Sequence, residues 1–337
     1  MSTTKPNVLT IIINYNQWEL TTACLASLSN VESIQNTVVV IDNGSTNNSV
    51  NQLLQWNYGP VPSSLTISNQ LLPFIKSRPE HRLQSIDHTG QKTLPIGSYL
   101  IESKQNLGFS GGNNLAFDYI NPSTFNYIWF LNNDTIVAPT AILEKIKHFE
   151  SNASLGIVAP ILYQMNHPNK IQMIGGKINH WLGSSQNVTH LNHPIDYLCG
   201  ASLLLNQKCF TKIGLWDTDF FFCYEDTDLS YRAKANGFNI AVCKSATVYH
   251  KESGTLKKEI AKGNLFVELC RIKSRIIFAK KYQLPRIGII IGLLVSVWLR
   301  IMRRQYAIAI AILNLIINYN QPIHYFTNIK RNSHNES

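Results

Sequence analysis

Tyr127-Ile128-Trp129-Phe130-Leu131-Asn132-Asn133-Asp134 decides how this chain is read. An apolar run of this length, rich in aromatic and branched residues, reads as a buried strand. It stops abruptly at two amides and one carboxylate. In open α/β sheets ligands bind beyond the carboxyl ends of the strands. One acid among neutral oxygen ligands suits a hard divalent cation, magnesium or manganese, that keeps waters and takes its remaining ligands from phosphate. The same residues also suit a plain strand-to-helix turn, with Asp134 or Thr135 capping a helix over residues 139–149.

Upstream, Val8–Ile13, Thr37–Ile41 and Tyr99–Glu102 are further buried strands, and Trp18–Ser29 and Gly111–Tyr119 have helical periodicity. Apolar strands that alternate with helices predict an α/β fold with a mostly parallel sheet covered on both faces. After Gly156–Ala159 the rhythm changes. Ile171–Ile178 and Leu198–Leu205 read as strands without crossover helices, as in an α+β second half. Four polar clusters fall at strand ends or turns: Asn14-Tyr15-Asn16, Asp42-Asn43-Gly44-Ser45, Asn106 to Asn114, and Asn132-Asn133-Asp134. If the strands are neighbours, these clusters line one edge that holds a base, a ribose and a diphosphate in order. The candidate binding residues are therefore Asn14, Asn16, Asp42, Asn43, Asn106, Gly111, Gly112, Asn132 and Asn133. Asp42 is placed to accept from the imide N–H of a pyrimidine, although Asp-Asn-Gly-Ser is also strong turn chemistry. Gly108, Gly111 and Gly112 let backbone N–H groups approach a phosphate at a helix start, or simply shape that start. They match neither the dinucleotide-binding nor the P-loop pattern.

The second informative segment runs from Gly214 to Arg232. Phe220, Phe221, Phe222 and Tyr224 precede the adjacent acids Glu225 and Asp226, which open a helix. A carboxylate beside an aromatic wall is desolvated, which raises its pKa and improves it as a general base. Asp226 also suits an N-cap. Asp228 and Arg232 are spaced to pair on the helix surface. His250 follows a short strand at Ala246–Tyr249 and completes a metal shell if the fold brings it to Asp134.

The 337 residues carry a formal net charge of +10 and are 45% hydrophobic, so a large core and an anionic partner are both expected. The six cysteines are scattered without a C-x-x-C pair, as for reduced core thiols in a cytoplasmic protein, and no N-terminal signal peptide is visible. The stretch from about 56 to 97 is rich in Pro, Ser, Gln and His and reads as an insertion on the sheet's edge. Lys257 to Arg286 is basic, and two apolar runs follow, Ile287–Trp298 and Ala307–Tyr319, each too short to span a bilayer. Helices lying on an anionic membrane surface fit that pattern, with Arg300, Arg303, Arg304 and Trp298 at headgroup depth. Two core helices docked on the main domain also fit it. The expected division is a catalytic domain over residues 1–255 and a basic, amphipathic helical region over 256–337.

Taken together, Ile13 to Asn16, Val40 to Thr46, Asn106 to Asn114, Phe130 to Asp134, Cys199-Gly200-Ala201, Gly214 to Asp217, Glu225 to Leu229 and Val248 to His250 resemble family 2 glycosyltransferases of the GT-A fold, and within them the bacterial rhamnosyltransferase-like members. The resemblance covers residues 7 to about 255, in the family's order. It implies inverting transfer of a hexose, rhamnose or another, from a nucleotide-diphosphate sugar. The acceptor is a glycan or polyprenyl-linked glycan of a cell-surface polysaccharide such as lipopolysaccharide. Asp42 then touches the base, Asp134 (with His250) holds magnesium or manganese, and Asp226 is the catalytic base with Glu225 in reserve. The implied location is the cytoplasmic face of the cell membrane, and nucleic acid is not an expected partner. Two features depart from the family: the acid-x-acid metal motif is Asn132-Asn133-Asp134 with one carboxylate, and the insertion lies outside the resemblance. A sugar-phosphate nucleotidyltransferase and an inactive nucleotide-sugar or glycan-binding scaffold are the rivals. The first lacks its basic Gly-rich loop here, and the retained acids argue against the second.

Overall fold

The structure is a computed structural model that describes residues 5–31, 34–56, 61–62, 64–75, 82–86, 90, 93–251 and 264–332. In chain order the elements are β1 (Asn7–Asn14), α1 (Trp18–Leu28), β2 (Gln35–Asp42), α2 (Ser49–Gln55), β3 (Leu83–Ser85), β4 (Ser98–Glu102), α3 (Gly108–Tyr119), β5 (Tyr127–Asn132), β6 (Thr135–Val137), α4 (Ala141–Ser151), β7 (Leu155–Gln164) and β8 (His167–Met173). They continue with β9 (Gly175–Asn179), β10 (Ser184–Val188), β11 (Ser202–Asn206), α5 (Gln207–Ile213), α6 (Glu225–Ala235), β12 (Asn239–His250), α7 (Leu265–Lys281), α8 (Arg286–Met302), α9 (Tyr306–Ile317) and α10 (Ile323–Asn332).

Among the described residues the main sheet runs β3-β4-β2-β1-β5-β11-β7-β12-β6, with β8 added to β7. The first five strands in that order are mutually parallel, and β11 enters antiparallel between β5 and β7. Ile11, Ile12, Val39, Val40, Ile41 and Phe130 are all buried, because helices cover both faces of the sheet. That is why these strands read as continuous apolar runs rather than alternating ones. Register aligns their ends: Asn14 lies opposite Asp42 and Ile13 opposite Asn132, so three polar strand ends finish level at one edge.

Residues 139–149 do contain most of a helix, α4, but neither Asp134 nor Thr135 caps it. Its N-cap is Thr140, and Thr135 lies in β6. The expected short strand at Ala246–Tyr249 is the end of β12, which is 12 residues long. A register shift between Cys243 and Thr247 breaks its pairing with β7, and its half-exposed first half hid it. Within the insertion, β3 pairs parallel with β4 and widens the sheet, as an edge insertion should. A 3₁₀ turn at Asn69–Phe74 packs Leu71 with Ile136 and Met165.

The C-terminal helices correct the surface expected of the basic stretch. In α7, Ile272, Ile276, Ile277 and Phe278 are fully buried in the same core cluster as β1 and β5. Lys273, Arg275 and Arg300 are buried, not at headgroup depth. Arg275 donates through Nε to the Leu182 carbonyl at 3.1 Å, and Arg300 pairs with Glu268 at 2.8 Å. Long side chains bury their stems when their heads find partners, so composition overstated the exposed charge. Arg286, Arg303, Arg304 and Trp298 remain exposed. Lys257, Lys258 and Lys262 lie outside the described residues. Among the described residues no helix is long and apolar enough to cross a membrane.

Candidate functional site

The site begins where β5 ends. Asn132 donates its N–H to the Ala201 carbonyl at 2.9 Å, and the chain then turns so that Asp134 faces β12. His250, paired in register with Thr135, brings Nε2 to 3.1 Å from Asp134 Oδ1, and Lys251 N–H donates to the Asp134 carbonyl at 2.8 Å. Burial of His250 works to lower its pKa, but the charge and hydrogen bond of Asp134 outweigh this and raise it. Among the described residues the buried Nδ1 of His250 has no hydrogen-bond partner. A carboxylate oxygen paired with an imidazole nitrogen, beside two amides, is a donor set that magnesium or manganese accepts once phosphate oxygens complete the shell. Among the described residues no group of three or more His, Cys, Asp or Glu is placed to hold a metal ion.

A cleft of about 280 Å³ opens beside Asp134, which lines it, whereas His250 does not. It brings together Asn43, Asn106, Asn132, Asn133 and Asp134 with Tyr15 and Gln17. Asn43 is the organiser: Oδ1 accepts from Leu107 N–H at 3.0 Å and Nδ2 donates to the Gly108 carbonyl at 3.0 Å. Two aromatic residues of the second segment, Phe221 and Phe222, form one wall, and Phe266, Val267 and Cys270 of α7 form another. The α7 wall was missed in the sequence, where basic composition was the dominant signal. Tyr15 stood out there only as part of a polar cluster.

Several predicted residues sit elsewhere. Asn14 and Asp42 are buried beneath the cleft floor, and Asp42 accepts from Asn14 Nδ2 at 2.7 Å, Ser45 Oγ at 2.7 Å and Ser45 N–H at 2.9 Å. Turn chemistry therefore occupies this carboxylate. Asn16, with φ +56°, accepts from Thr46 and Asn47 N–H groups and lines a neighbouring pocket. Gly111 and Gly112 do not line the cleft. A Cβ on Gly112 would lie 3.1 Å from both Asn43 Nδ2 and Ile13 Cδ1, so glycine lets α3 sit close to the sheet rather than approach a phosphate. Gly108 is the glycine that lines the cleft, at φ +73°, and α3 starts there instead of at Gly111.

Glu225 and Asp226 open α6 as expected, half-buried or deeper, but do not line the cleft directly. Asp226 Oδ2 accepts from Gly200 N–H at 2.9 Å and Oδ1 from Thr227 N–H at 2.7 Å. Burial raises the Asp226 pKa, and these hydrogen bonds oppose the rise without cancelling it. The Cys199-Gly200-Ala201 segment thus ties the base candidate to the end of β5 through adjacent residues. Asp228 and Arg232 pair at 2.7 Å, yet not on the surface. Asp228 is fully buried and also receives Lys281 at 2.6 Å and the Tyr282 hydroxyl at 2.8 Å, which locks α6 to α7.

The chain is 26% identical over 160 residues to a low-salt glycan biosynthesis hexosyltransferase of Haloferax volcanii, covering 46% of this chain and 52% of that one. It is 24% identical over 169 residues to a galactofuranosyltransferase of Mycolicibacterium smegmatis, covering 48% and 55%. It thus spans about half the length of the curated relatives it matches. Among solved structures, a mannosyltransferase from Pyrobaculum calidifontis in complex with GDP-Man and Mn2+ superposes with a TM-score of 0.53 at 12% identity, over 98% of this chain and 85% of that one. That likeness shows the GT-A fold. The family model described as "Glycosyltransferase like family 2" matches residues 95–263, a span that holds Asn106, Asp134, Gly200, Asp226 and His250, and with that match over half its length the chain belongs to glycosyltransferase family 2.

Proposed function

We propose that this protein transfers a hexose, with rhamnose a candidate, from a nucleotide-diphosphate donor to a glycan or polyprenyl-linked acceptor, with inversion at the anomeric carbon. The observation that carries the reading is the Asp134–His250 pair at 3.1 Å, with Asp134 lining a cleft that also holds Asn43, Asn106, Asn132 and Asn133. A bound magnesium or manganese ion would neutralise charge developing on the leaving nucleoside diphosphate. Asp134 and His250 are the residues that would hold it. Asn43, Asn106, Asn132 and Asn133 orient the donor, and Phe221, Phe222 and Phe266 exclude water around the reacting sugar. Asp226 takes the proton of the acceptor hydroxyl as it attacks, and its raised pKa suits that work. Asp42 supports the base-binding end through Ser45 and Asn14.

The exposed face of α8 and α9 completes the proposal. Ile287, Ile291, Val295, Trp298, Ile310 and Ile317 are exposed on it, with Arg286 at one end of α8 and Arg303 and Arg304 at the other. This face would rest on the anionic inner surface of the cell membrane, where a lipid-linked acceptor resides. The deciding experiment measures release of nucleoside diphosphate from a panel of nucleotide sugars with manganese, alongside calorimetry of nucleoside diphosphate binding to wild type and Asp134→Ala. Metal-dependent binding lost in the variant supports the site. Equal affinity in both proteins removes Asp134 from it.

A further inference from the structure

Cys223 and Tyr224 are consecutive non-glycine residues with left-handed backbones, φ +67° and +66°. Such conformations are strained and persist only where the surroundings enforce them. They directly precede Glu225 and Asp226, so they set the direction in which α6 leaves the aromatic segment. The enforcing contacts converge on Tyr224. Its side chain is buried, its hydroxyl donates to the Gly183 carbonyl at 2.7 Å, and its ring packs on Phe278 with centroids 5.4 Å apart. Its own carbonyl accepts from Asp228 N–H at 2.8 Å. Gly183 lies at the β9–β10 hairpin tip, and that tip is fixed from two helices. Arg275 of α7 holds the Leu182 carbonyl, and a Cβ on Gly288 of α8 would collide with the Trp181 carbonyl.

We propose that Tyr224 is a positioning residue for the transfer reaction. Its hydroxyl, anchored on Gly183, holds the left-handed turn from which Asp226 reaches Gly200 N–H and so is aimed at the acceptor. Tyr224 touches no substrate and acts through Asp226. The inference rests on the reading of Asp226 as the base.

The test is Tyr224→Phe in the full chain, which removes only the hydroxyl. Turnover at saturating donor should fall about 10- to 100-fold, the scale of a misplacement of up to about 1 Å. Affinity for a nucleoside diphosphate with manganese should not change. Tyr231→Phe is the control: its hydroxyl meets His180 Nε2 of the same hairpin at 3.3 Å and its ring also packs on Phe278, but it lies beyond the acids. It should keep wild-type turnover and show a similar melting temperature to Tyr224→Phe. Wild-type turnover in Tyr224→Phe, or equal losses of turnover in both variants, or turnover and donor affinity falling together, overturns the proposal. Asp226→Asn, run alongside, separates the two layers. An inactive Asp226→Asn beside a fully active Tyr224→Phe rejects the positioning role alone, whereas an active Asp226→Asn rejects the base and the positioning role with it.

Discussion

Replacing Arg303 and Arg304 by glutamine should weaken binding to anionic vesicles about 30-fold at low salt. Both residues are exposed at the end of α8, and each exposed Lys or Arg near such a surface contributes about 1 kcal/mol. Losing two removes about 2 kcal/mol, and tenfold corresponds to about 1.4 kcal/mol. Apolar burial contributes separately. Full burial of a Val or Ile side chain is worth about 1.5–3 kcal/mol, and Ile291 and Val295 are 45% and 51% exposed, so each has about half of that still to gain. Ile291→Ser with Val295→Ser should therefore cost about 1.5–3 kcal/mol, roughly 10- to 100-fold. The two variants differ in their response to salt. The arginine variant should converge on wild type at high salt as the electrostatic part is screened, and the serine variant should stay weaker throughout. Lys273→Gln is the control, since Lys273 belongs to the same basic run but is only 3% exposed. Sedimentation with phosphatidylserine-containing vesicles reads all four proteins. A wild type that stays in the supernatant at low salt refutes the membrane face. So does a Lys273→Gln loss equal to that of the arginine pair.

The other predictions concern the base, the core and a buried amine. Asp226→Asn should lower turnover about 10²-fold or more while donor binding by calorimetry stays intact, and Glu225→Gln losing turnover in its place would reverse the two roles. Phe278→Ala removes a fully buried ring that meets Tyr224, Tyr231 and Tyr282, at a cost of about 3–5 kcal/mol. With an unfolding entropy of about 2.1 cal/mol/K for each of 337 residues, its melting temperature should fall about 4–7 °C in a calorimetric scan, and no shift would mean that α7 is not part of the core. Lys145 is fully buried with Nζ 4.0 Å over the Trp129 ring, and burial holds its pKa well below the usual lysine range. The unfolded chain binds that proton below about pH 10.5 and the folded chain only at lower pH, so this site's contribution to stability falls as pH drops below about 10.5. Lys145→Met should therefore gain most over wild type in denaturant titrations at the lower pH, and a constant difference across pH would refute a neutral Lys145.

Burial geometry decided which elements were legible in the sequence. Strands β1, β2 and β5 could be read because two covered faces leave no polar alternation to confuse them, and their polar ends at Asn14, Asp42 and Asn132 stood out against that background. Of strand β12 only the end, Ala246–Tyr249, could be read, because its first half is partly exposed and a register shift interrupts it. At three residues, β6 is too short for any period to register. Of the candidate site, Asn43, Asn106, Asn132, Asn133 and Asp134 could be read because each is a polar residue where the chain leaves a regular element. Gly111 and Gly112 do not line the cleft, and close packing of α3 on the sheet accounts for the glycine at 112. The α7 wall was illegible for a different reason. Arg271, Lys273 and Arg275 look like a surface run in one dimension, and only the fold buries Lys273 and Arg275 and brings the Leu182 carbonyl to Arg275.

Asn132 hangs from the carbonyl of Ala201, while Asp226 hangs from the N–H of Gly200. Consecutive Cα atoms across a trans peptide are about 3.8 Å apart, and no peptide in the described chain is cis. Two residues of backbone therefore join the end of β5 to the carboxylate proposed to receive the acceptor's proton. So short a link leaves little play between the two. If the proposed function holds, a change of donor or acceptor is expected to fall instead on the walls, in the aromatic pair Phe221 and Phe222 and in the first turns of α7.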